Sequence, residues 1–235
     1  AESFKELKGM MDKEFAKRYG IDEKDLMPWH YQGRYFQEAP LLYPIDLDKY
    51  YKGADLEQLT KDYYASIGLD ITKVLNNSSL YPQEGKNQHA FCTDIDTKGD
   101  VRVLCNITEN ESWMSTMLHE FGHAVYMLGH DAANLPFALR NSAHIFTTEA
   151  IAMMMERCSS NPLWLKEFRG ISEKESQEIE ENSFKQSRLA KLVFSRWVQV
   201  VYRFEKEMYA NPEQDLNALW WTLVERYQLL KKPEG

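Results

Sequence analysis

The sequence predicts a mainly α-helical fold that contains one small antiparallel β-hairpin. Apolar residues recur three and four positions apart along most of the chain, which is the spacing of amphipathic helices. Only one stretch, near the middle, combines β-prone runs with a turn that contains glycine. With 235 residues, 43% of them hydrophobic, the chain is long enough to bury a core. We expect residues 1–235 to form a single domain.

The first part of the chain predicts three helices and an aromatic segment. A helical pattern begins close to the first residue, and the irregular stretch 28–44 that follows is rich in aromatic rings. Asp55 and Asp70 can each cap a helix, because a carboxylate accepts hydrogen bonds from the first turn. These two helices are expected to end near Gly68 and Asn76.

The hairpin is predicted from residues 89–96 and 101–107, joined by a turn that contains Gly99. Beyond it, capping residues and apolar spacing predict four more helices. These helices are expected to begin at Asn110 or Ser112, at Thr147 or Thr148, at Ser172 and at Pro212, and to end near Gly129, Cys158, Ala210 and Leu230.

Charge and hydropathy exclude two classes of partner. The net charge of −8 comes from interspersed acidic and basic residues, which argues against a nucleic-acid partner. The apolar segments are interrupted before the roughly 18 residues that a membrane span needs. Three cysteines are too few for a disulfide framework, although Cys92 and Cys105 could pair in an oxidising compartment. We expect a cytoplasmic protein with free thiols, the alternative being a periplasmic or secreted one.

The segment His119-Glu120-Phe121-Gly122-His123 carries the chemistry. Residues four apart on a helix lie one turn above each other, so the two imidazoles can aim at one metal ion. Glu120 projects to the side, where it can act as the general base on a water molecule. This pattern predicts a catalytic Zn²⁺ site, in which Glu120 takes a proton from the attacking water and passes it to the leaving amine.

A catalytic zinc normally takes three protein ligands and leaves one position for water. Glu149 is the predicted third ligand, because it lies in the next helix among apolar neighbours, where a buried carboxylate needs a compensating cation. Glu156 is the rival candidate. Asp131 or His144 could serve only with a sharp reversal of the chain.

Two other metal sites use similar residues. A di-iron carboxylate bundle needs two Glu-x-x-His pairs, whereas the chain has only Glu120 with His123. A structural zinc site prefers four ligands with cysteine among them, and no cysteine lies near the histidines in sequence. A catalytic zinc site is therefore the favoured interpretation.

Several segments together resemble the angiotensin-converting-enzyme (peptidyl-dipeptidase A) family of gluzincins. They are the zinc motif, residues 135–140 (Leu-Pro-Phe-Ala-Leu-Arg), residues 148–151 (Thr-Glu-Ala-Ile), residues 220–223 (Trp-Trp-Thr-Leu) and residues 226–228 (Arg-Tyr-Gln). The likeness runs from about Trp29 to Leu230. It implies a helical, cleft-bearing metallopeptidase that acts on oligopeptides as a dipeptidyl carboxypeptidase, with the thimet-type oligopeptidases as more distant relatives.

The resemblance also implies substrate-binding residues. His89 and Ala90 match a His-Ala pair on a β-strand beside the cleft, where the histidine bonds a substrate carbonyl and the alanine backbone pairs with the peptide. This agrees with the residues themselves, since an edge strand can bind an extended peptide by strand addition. Gln32 matches, with a gap, a glutamine that holds the carboxylate at the end of the substrate.

The chain departs from the family pattern in two places. Met153 stands where the family often has an aspartate that orients a zinc histidine, so the groups that orient the ligands must differ. The family's transition-state tyrosine and histidine lie beyond the segment that Trp220-Trp221 matches, and this chain ends at Gly235, so both are expected to be missing from it. We therefore expect a catalytic-domain fragment, lacking N- and C-terminal parts of the full-length chain, that is weak or inactive alone. A zinc-loaded peptide-binding domain without turnover is the alternative function.

Overall fold

A computed structural model describes residues 2–31, 33–129 and 132–234, which contain eight α-helices and one two-stranded antiparallel sheet. The predicted helix-rich fold class is thus confirmed. None of the helices in these residues is both long and apolar enough to cross a membrane. The elements are α1 (Glu2–Tyr19), α2 (Leu56–Ser66), α3 (Thr72–Asn77), β1 (Phe91–Asp94), β2 (Val101–Leu104), α4 (Glu111–Leu128), α5 (Ile145–Glu156), α6 (Pro162–Arg169), α7 (Glu173–Ala210) and α8 (Leu216–Gln228).

The chain divides into two compact units, and α7 runs through the boundary between them. One unit is Ile45–Glu181, and the other combines Ala1–Pro44 with Asn182–Gly235. Each unit has its own cluster of buried apolar side chains. The prediction of a single catalytic domain stays a prediction.

Helix α4 lies in the core of the unit Ile45–Glu181. Its apolar face is completely buried, together with side chains from α2, the sheet and α6. Tyr64 from α2 is fully buried and donates a hydrogen bond of 2.6 Å to the carbonyl oxygen of Leu118. A helix held on several sides in this way presents its remaining face in a fixed orientation. The buried residues of α4 are Met114, Met117, Leu118, Glu120, Phe121, Gly122 and Ala124.

The other unit has its core between α1, α7 and α8. The amide of Gln228 is buried and donates to the carbonyl oxygens of Tyr35 and Phe36, which ties the aromatic segment to the end of α8. The fully or nearly buried apolar residues of this unit include Phe4, Met11, Phe15, Leu189, Val193, Val200 and Val224.

The helix boundaries confirm some of the predicted caps and correct others. Asp55 and Asn110 cap α2 and α4 as predicted, each accepting a hydrogen bond from a backbone N–H of the first turn. Helix α5 begins at Ile145 instead of at Thr147 or Thr148, because Nδ1 of His144 accepts the N–H of Phe146 and serves as the cap.

The last helix and α6 also differ from the prediction. Helix α8 is capped by Asp215, and Pro212 lies in the turn before it. Helix α6 was not predicted, although Asn161 as cap and Pro162 in the first turn are a helix-start signal.

The hairpin is shorter than predicted. Phe91 pairs with Leu104 and Asp94 with Val101, so His89 and Ala90 lie just before β1 instead of in it. On the edge of β2 that faces away from β1, the N–H of Cys105 donates to the carbonyl of Ser79. All three cysteines lie within the described residues and are free thiols.

Candidate metal centre

His119 and His123 lie on consecutive turns of α4 and point the same ring nitrogen into one space. Their Nε2 atoms are 3.2 Å apart. The ring planes are nearly perpendicular, at 81°. The four-residue spacing thus brings the two imidazoles together, as the sequence analysis predicts.

Glu149 reaches the same space from the first half of α5. Its Oε2 atom is 3.6 Å from Nε2 of His119, and its Oε1 atom is 3.5 Å from Nε2 of His123. One possible ligand atom from each of the three residues lies within 4.8 Å of the other two. The side chain is only about half exposed.

The other nitrogen of each ring is held from behind by a residue of α5. Nδ1 of His119 is 2.7 Å from a carboxylate oxygen of Glu156, and Nδ1 of His123 is 2.7 Å from the hydroxyl of Thr148. Thr148 is buried. A ring held at Nδ1 is left with Nε2 free to bind a metal ion.

The rival ligands of the sequence analysis lie elsewhere. Glu156 is bonded to the nitrogen of His119 that faces away from the group of three. His144 caps α5 through its own Nδ1. Asp131 lies outside the described residues, as does Gln32.

Gly122 allows α4 and α5 to approach closely at the site. A Cβ atom at this position would lie 2.8 Å from the Cα of Ala152 and 3.4 Å from its backbone nitrogen. Both atoms belong to the α5 backbone, so a side chain at residue 122 would push the helices apart. The glycine between Glu120 and His123 therefore keeps the glutamate on α5 near the histidines.

The charges of the site shift the histidine pKa values in opposite directions. Burial is the largest influence on His119 and lowers its pKa, but the hydrogen bond to Glu156 and the nearby carboxylates outweigh it, so the pKa lies above 6.5. The pKa of His123 lies below 6.5, because burial and the charge of His119 both oppose protonation. His123 is therefore the more readily neutral of the two, as a metal ligand must be.

Glu120 is buried, with 8% of the residue exposed, and lines a cavity of about 310 Å³. Burial raises the pKa of its carboxyl group, and the charge of Glu149 raises it further, while His119 and His89 act in the opposite direction. His89 and Ala90 line the same cavity. The remaining lining residues are Gln88, Trp113, Ser115, Thr116, His119 and Glu156.

The segment that holds His89 is tied down by side chains. The amide of Asn106 is buried and donates to the carbonyl oxygens of Asn87 and Gln88, and the side chain of Asn87 accepts the N–H of His89. His89 itself is exposed. The contact of Asn106 with this segment was not predicted, because the sequence around Asn106 contains no signal for it.

A second cavity, of about 220 Å³, is bounded by β1, the end of α4 and Thr148. Arg140 lines it, and the Nε–H of this side chain donates to the carbonyl of Leu135. The other lining residues are Cys92, Thr93, Asp94, Thr97, Tyr126, Met127, Asn141 and Ser142.

The contributions of Gly122, Thr148 and Glu156 to the geometry of the site were not predicted either. A glycine inside a helix costs about 1 kcal/mol relative to alanine, so Gly122 was a detectable signal of close helix packing. Thr148 was considered only as a helix cap and Glu156 only as a rival ligand. Their partners depend on how α5 is rotated against α4, which the sequence pattern does not specify.

A family model described as angiotensin-converting enzyme (Peptidase_M2) matches residues 45–235. This range is well over half of the chain and includes the entire unit Ile45–Glu181, in which the histidine pair, Glu120, Glu149 and His89 lie.

Proposed function

This chain belongs to the angiotensin-converting enzyme family of peptidases, and on that premise we propose that it hydrolyses oligopeptides with zinc as its cofactor, releasing dipeptides from the carboxyl end. The convergence of His119, His123 and Glu149 at one point, with Glu120 beside it, is the observation that carries the proposal.

The donor set fits zinc. Two ligands about 2.1 Å from a tetrahedral zinc ion are about 3.4 Å apart. The two Nε2 atoms here are 3.2 Å apart, and each lies 3.5 to 3.6 Å from one of the two oxygens of Glu149. With both rings neutral and protonated at Nδ1, three electron-rich atoms would face one another, which is unfavourable unless a cation lies between them. Two imidazoles and one carboxylate are the ligands of a catalytic site, whereas a closed structural site uses four.

His119, His123 and Glu149 would hold the ion. When bound, zinc lowers the pKa of a water molecule towards about 7 and polarises a carbonyl oxygen. The protein provides the proton transfer. Glu120 accepts a proton from the attacking water at its carboxylate oxygen and then passes it to the leaving amine nitrogen.

The position of Glu120 suits this role. Its burial raises the pKa of the carboxyl group, and a general base works best when its pKa approaches the pH of the reaction. His89 and Ala90 line the same cavity as Glu120. A peptide bond in this cavity would therefore be within reach of both the base and a histidine donor.

An extended peptide is the substrate class that the surroundings favour. Within the described residues β1 pairs only with β2, so its other edge has unpaired backbone groups. A peptide can add to such an edge by backbone hydrogen bonds. Ala90 directly precedes β1 in the chain, and it lines the same cavity as Glu120.

The test compares the Glu120→Gln variant with the unaltered chain. Glutamine keeps the shape of the side chain but cannot take a proton, so we expect zinc binding at one ion per chain and a loss of turnover of roughly 100-fold or more. Zinc is measured by native mass spectrometry, and products of an oligopeptide are identified by mass after long incubation. Glu167→Gln, at an exposed glutamate on α6, is the matched control.

The identity of the products tests the finer part of the proposal. Release of dipeptides from the carboxyl end supports a dipeptidyl carboxypeptidase, whereas internal cleavage supports an oligopeptidase of the thimet type. Stoichiometric zinc with cleavage undiminished in Glu120→Gln would remove Glu120 as the base. Zinc without cleavage by the unaltered chain, together with binding of the same oligopeptide, would favour a peptide-binding domain without turnover.

A further inference from the structure

Two residues of α5 contact the Nδ1 atoms of the histidine pair in the hydrogen bonds described above, and Glu156 is the one that does so with a carboxylate. We infer that Glu156 is a positioning residue, which holds the proton of His119 on Nδ1 and thereby presents Nε2 of the same ring to the metal ion. The inference rests on the proposed zinc site and assigns a separate task within it.

The geometry places Glu156 on the correct side of the ring. Its Oε2 atom is 2.7 Å from Nδ1 of His119, while Nε2 of the same ring lies 3.2 Å from Nε2 of His123 and 3.6 Å from Glu149. The two nitrogens of the imidazole thus have different partners. A carboxylate can only accept, so this contact fixes Nδ1 as the donor.

Helix α5 supplies both carboxylates that surround His119. Glu149 lies in its first half and Glu156 is its last residue, seven positions later and so about two helical turns along the same face. One glutamate therefore lies on the Nε2 side of the ring and the other on the Nδ1 side. The helix fixes the spacing of the two backbone positions, so each glutamate reaches its own side of the ring.

A carboxylate also has an electronic effect that a hydroxyl lacks. A histidine whose Nδ1–H donates to a carboxylate is a stronger ligand at Nε2, because negative charge builds up on the ring. Nδ1 of His123 meets the neutral hydroxyl of Thr148 instead, at 2.7 Å. His119 is therefore expected to be the stronger of the two imidazole ligands.

The surroundings argue against a purely structural role for Glu156. The side chain is 28% exposed, so it fills little of the core. Its negative charge acts unfavourably on Glu111, the first residue of α4, and helps to raise the pKa of that partly buried carboxyl group. The same charge acts favourably on His119, whose pKa it raises, so the two effects oppose each other and loss of the charge should change the stability of the metal-free fold little.

The experiment measures metal binding in Glu156→Ala and Glu156→Gln. We expect Glu156→Ala to bind zinc about 10- to 100-fold more weakly in competition with a chelator, which is the usual effect of removing a group that orients a ligand. Glu156→Gln should fall between this variant and the unaltered chain, because the amide oxygen can still accept but carries no charge. Glu167→Gln again serves as the control.

Two further readouts separate positioning from folding. The absorption spectrum of the Co²⁺-loaded protein reports ligand geometry, and we expect it to change in Glu156→Ala and not in the control. The melting temperature of the metal-free chain, followed by circular dichroism, should change little. If Glu156→Ala proves unstable, the isosteric Glu156→Gln decides by the same affinity and spectrum.

Unchanged zinc affinity and an unchanged Co²⁺ spectrum in both variants would overturn the role of Glu156 and leave the proposed zinc site intact. A loss of zinc affinity that merely follows a loss of metal-free stability would also overturn it. If the unaltered chain binds no zinc, the proposed function fails first, and the inference fails with it.

Discussion

At the scale of single residues, the two histidines of the proposed zinc site differ in what holds them. Nδ1 of His119 meets a carboxylate and Nδ1 of His123 meets a hydroxyl, both at 2.7 Å. Thr148 is buried, so the hydroxyl cannot easily be replaced by water. An imidazole that loses its acceptor inside a protein is left with an unsatisfied N–H and a less defined orientation.

Replacing Thr148 with valine tests this contact. Valine has nearly the shape of threonine but cannot accept a hydrogen bond, so we expect Thr148→Val to weaken zinc binding roughly tenfold or more. Thr147→Val, at the neighbouring half-buried threonine, is the matched control and should bind zinc as the unaltered chain does. Chelator competition measures both. Equal affinities for the two variants would mean that the hydroxyl does not position His123.

Contacts between neighbouring turns of one helix could be predicted from the spacing, whereas contacts between two helices could be predicted only in part. The spacing of His119, Glu120 and His123 is local, so the helix geometry alone brings the imidazoles together. Glu149 was predicted from its apolar neighbours and its place on the following helix. Glu156 was predicted only as a rival metal ligand. Its contact with Nδ1 of His119 depends on the rotation of α5 about its own axis, which the sequence pattern does not specify.

At the scale of secondary structure, the site depends on the close packing of α4 against α5. Gly122 lies at the contact, where a Cβ atom would approach the backbone of Ala152 to 2.8 Å. Because backbone atoms cannot move aside as flexible side chains do, a larger residue must separate the helices. Such a separation would also move Glu149 away from the histidines.

The substitution Gly122→Ala is therefore expected to be destabilising, although alanine favours helices more than glycine does. Forcing a methyl group into a packed contact costs roughly 1–3 kcal/mol, more than the gain of about 1 kcal/mol in helix propensity. We expect a lower free energy of unfolding and weaker zinc binding, as measured by chemical denaturation and chelator competition.

Gly9→Ala provides the control within α1. Apart from the backbone of its own helix, a Cβ at Gly9 would meet no atom of the described residues within 4 Å. This variant should gain roughly 0.5–1 kcal/mol and bind zinc normally. If Gly122→Ala were also stabilising, the contact between residue 122 and Ala152 would not set the distance between α4 and α5.

The helices were predicted better than their ends. Asp55 and Asn110 are common capping residues and were identified, whereas the histidine cap of α5 was not, since a neutral imidazole is an unusual acceptor in this position. The hairpin was predicted too long, since β-prone residues continue beyond the last pair, Phe91 with Leu104. The point at which pairing stops is invisible to a local pattern.

At the scale of the whole molecule, the candidate site lies within the unit Ile45–Glu181. The mainly helical fold class and the family were predicted from periodicity and motifs, and both are confirmed. The roles of His89, Ala90 and Gln32 stay predictions. They depend on how a peptide lies against the protein, which neither the sequence nor the protein alone determines.

The most direct test of the zinc site is an anomalous-scattering map at the zinc absorption edge, recorded from crystals grown with zinc. We expect one strong peak per chain between Nε2 of His119, Nε2 of His123 and the carboxylate of Glu149. A peak at other residues, or none at this point when zinc is abundant, would contradict the proposed metal centre.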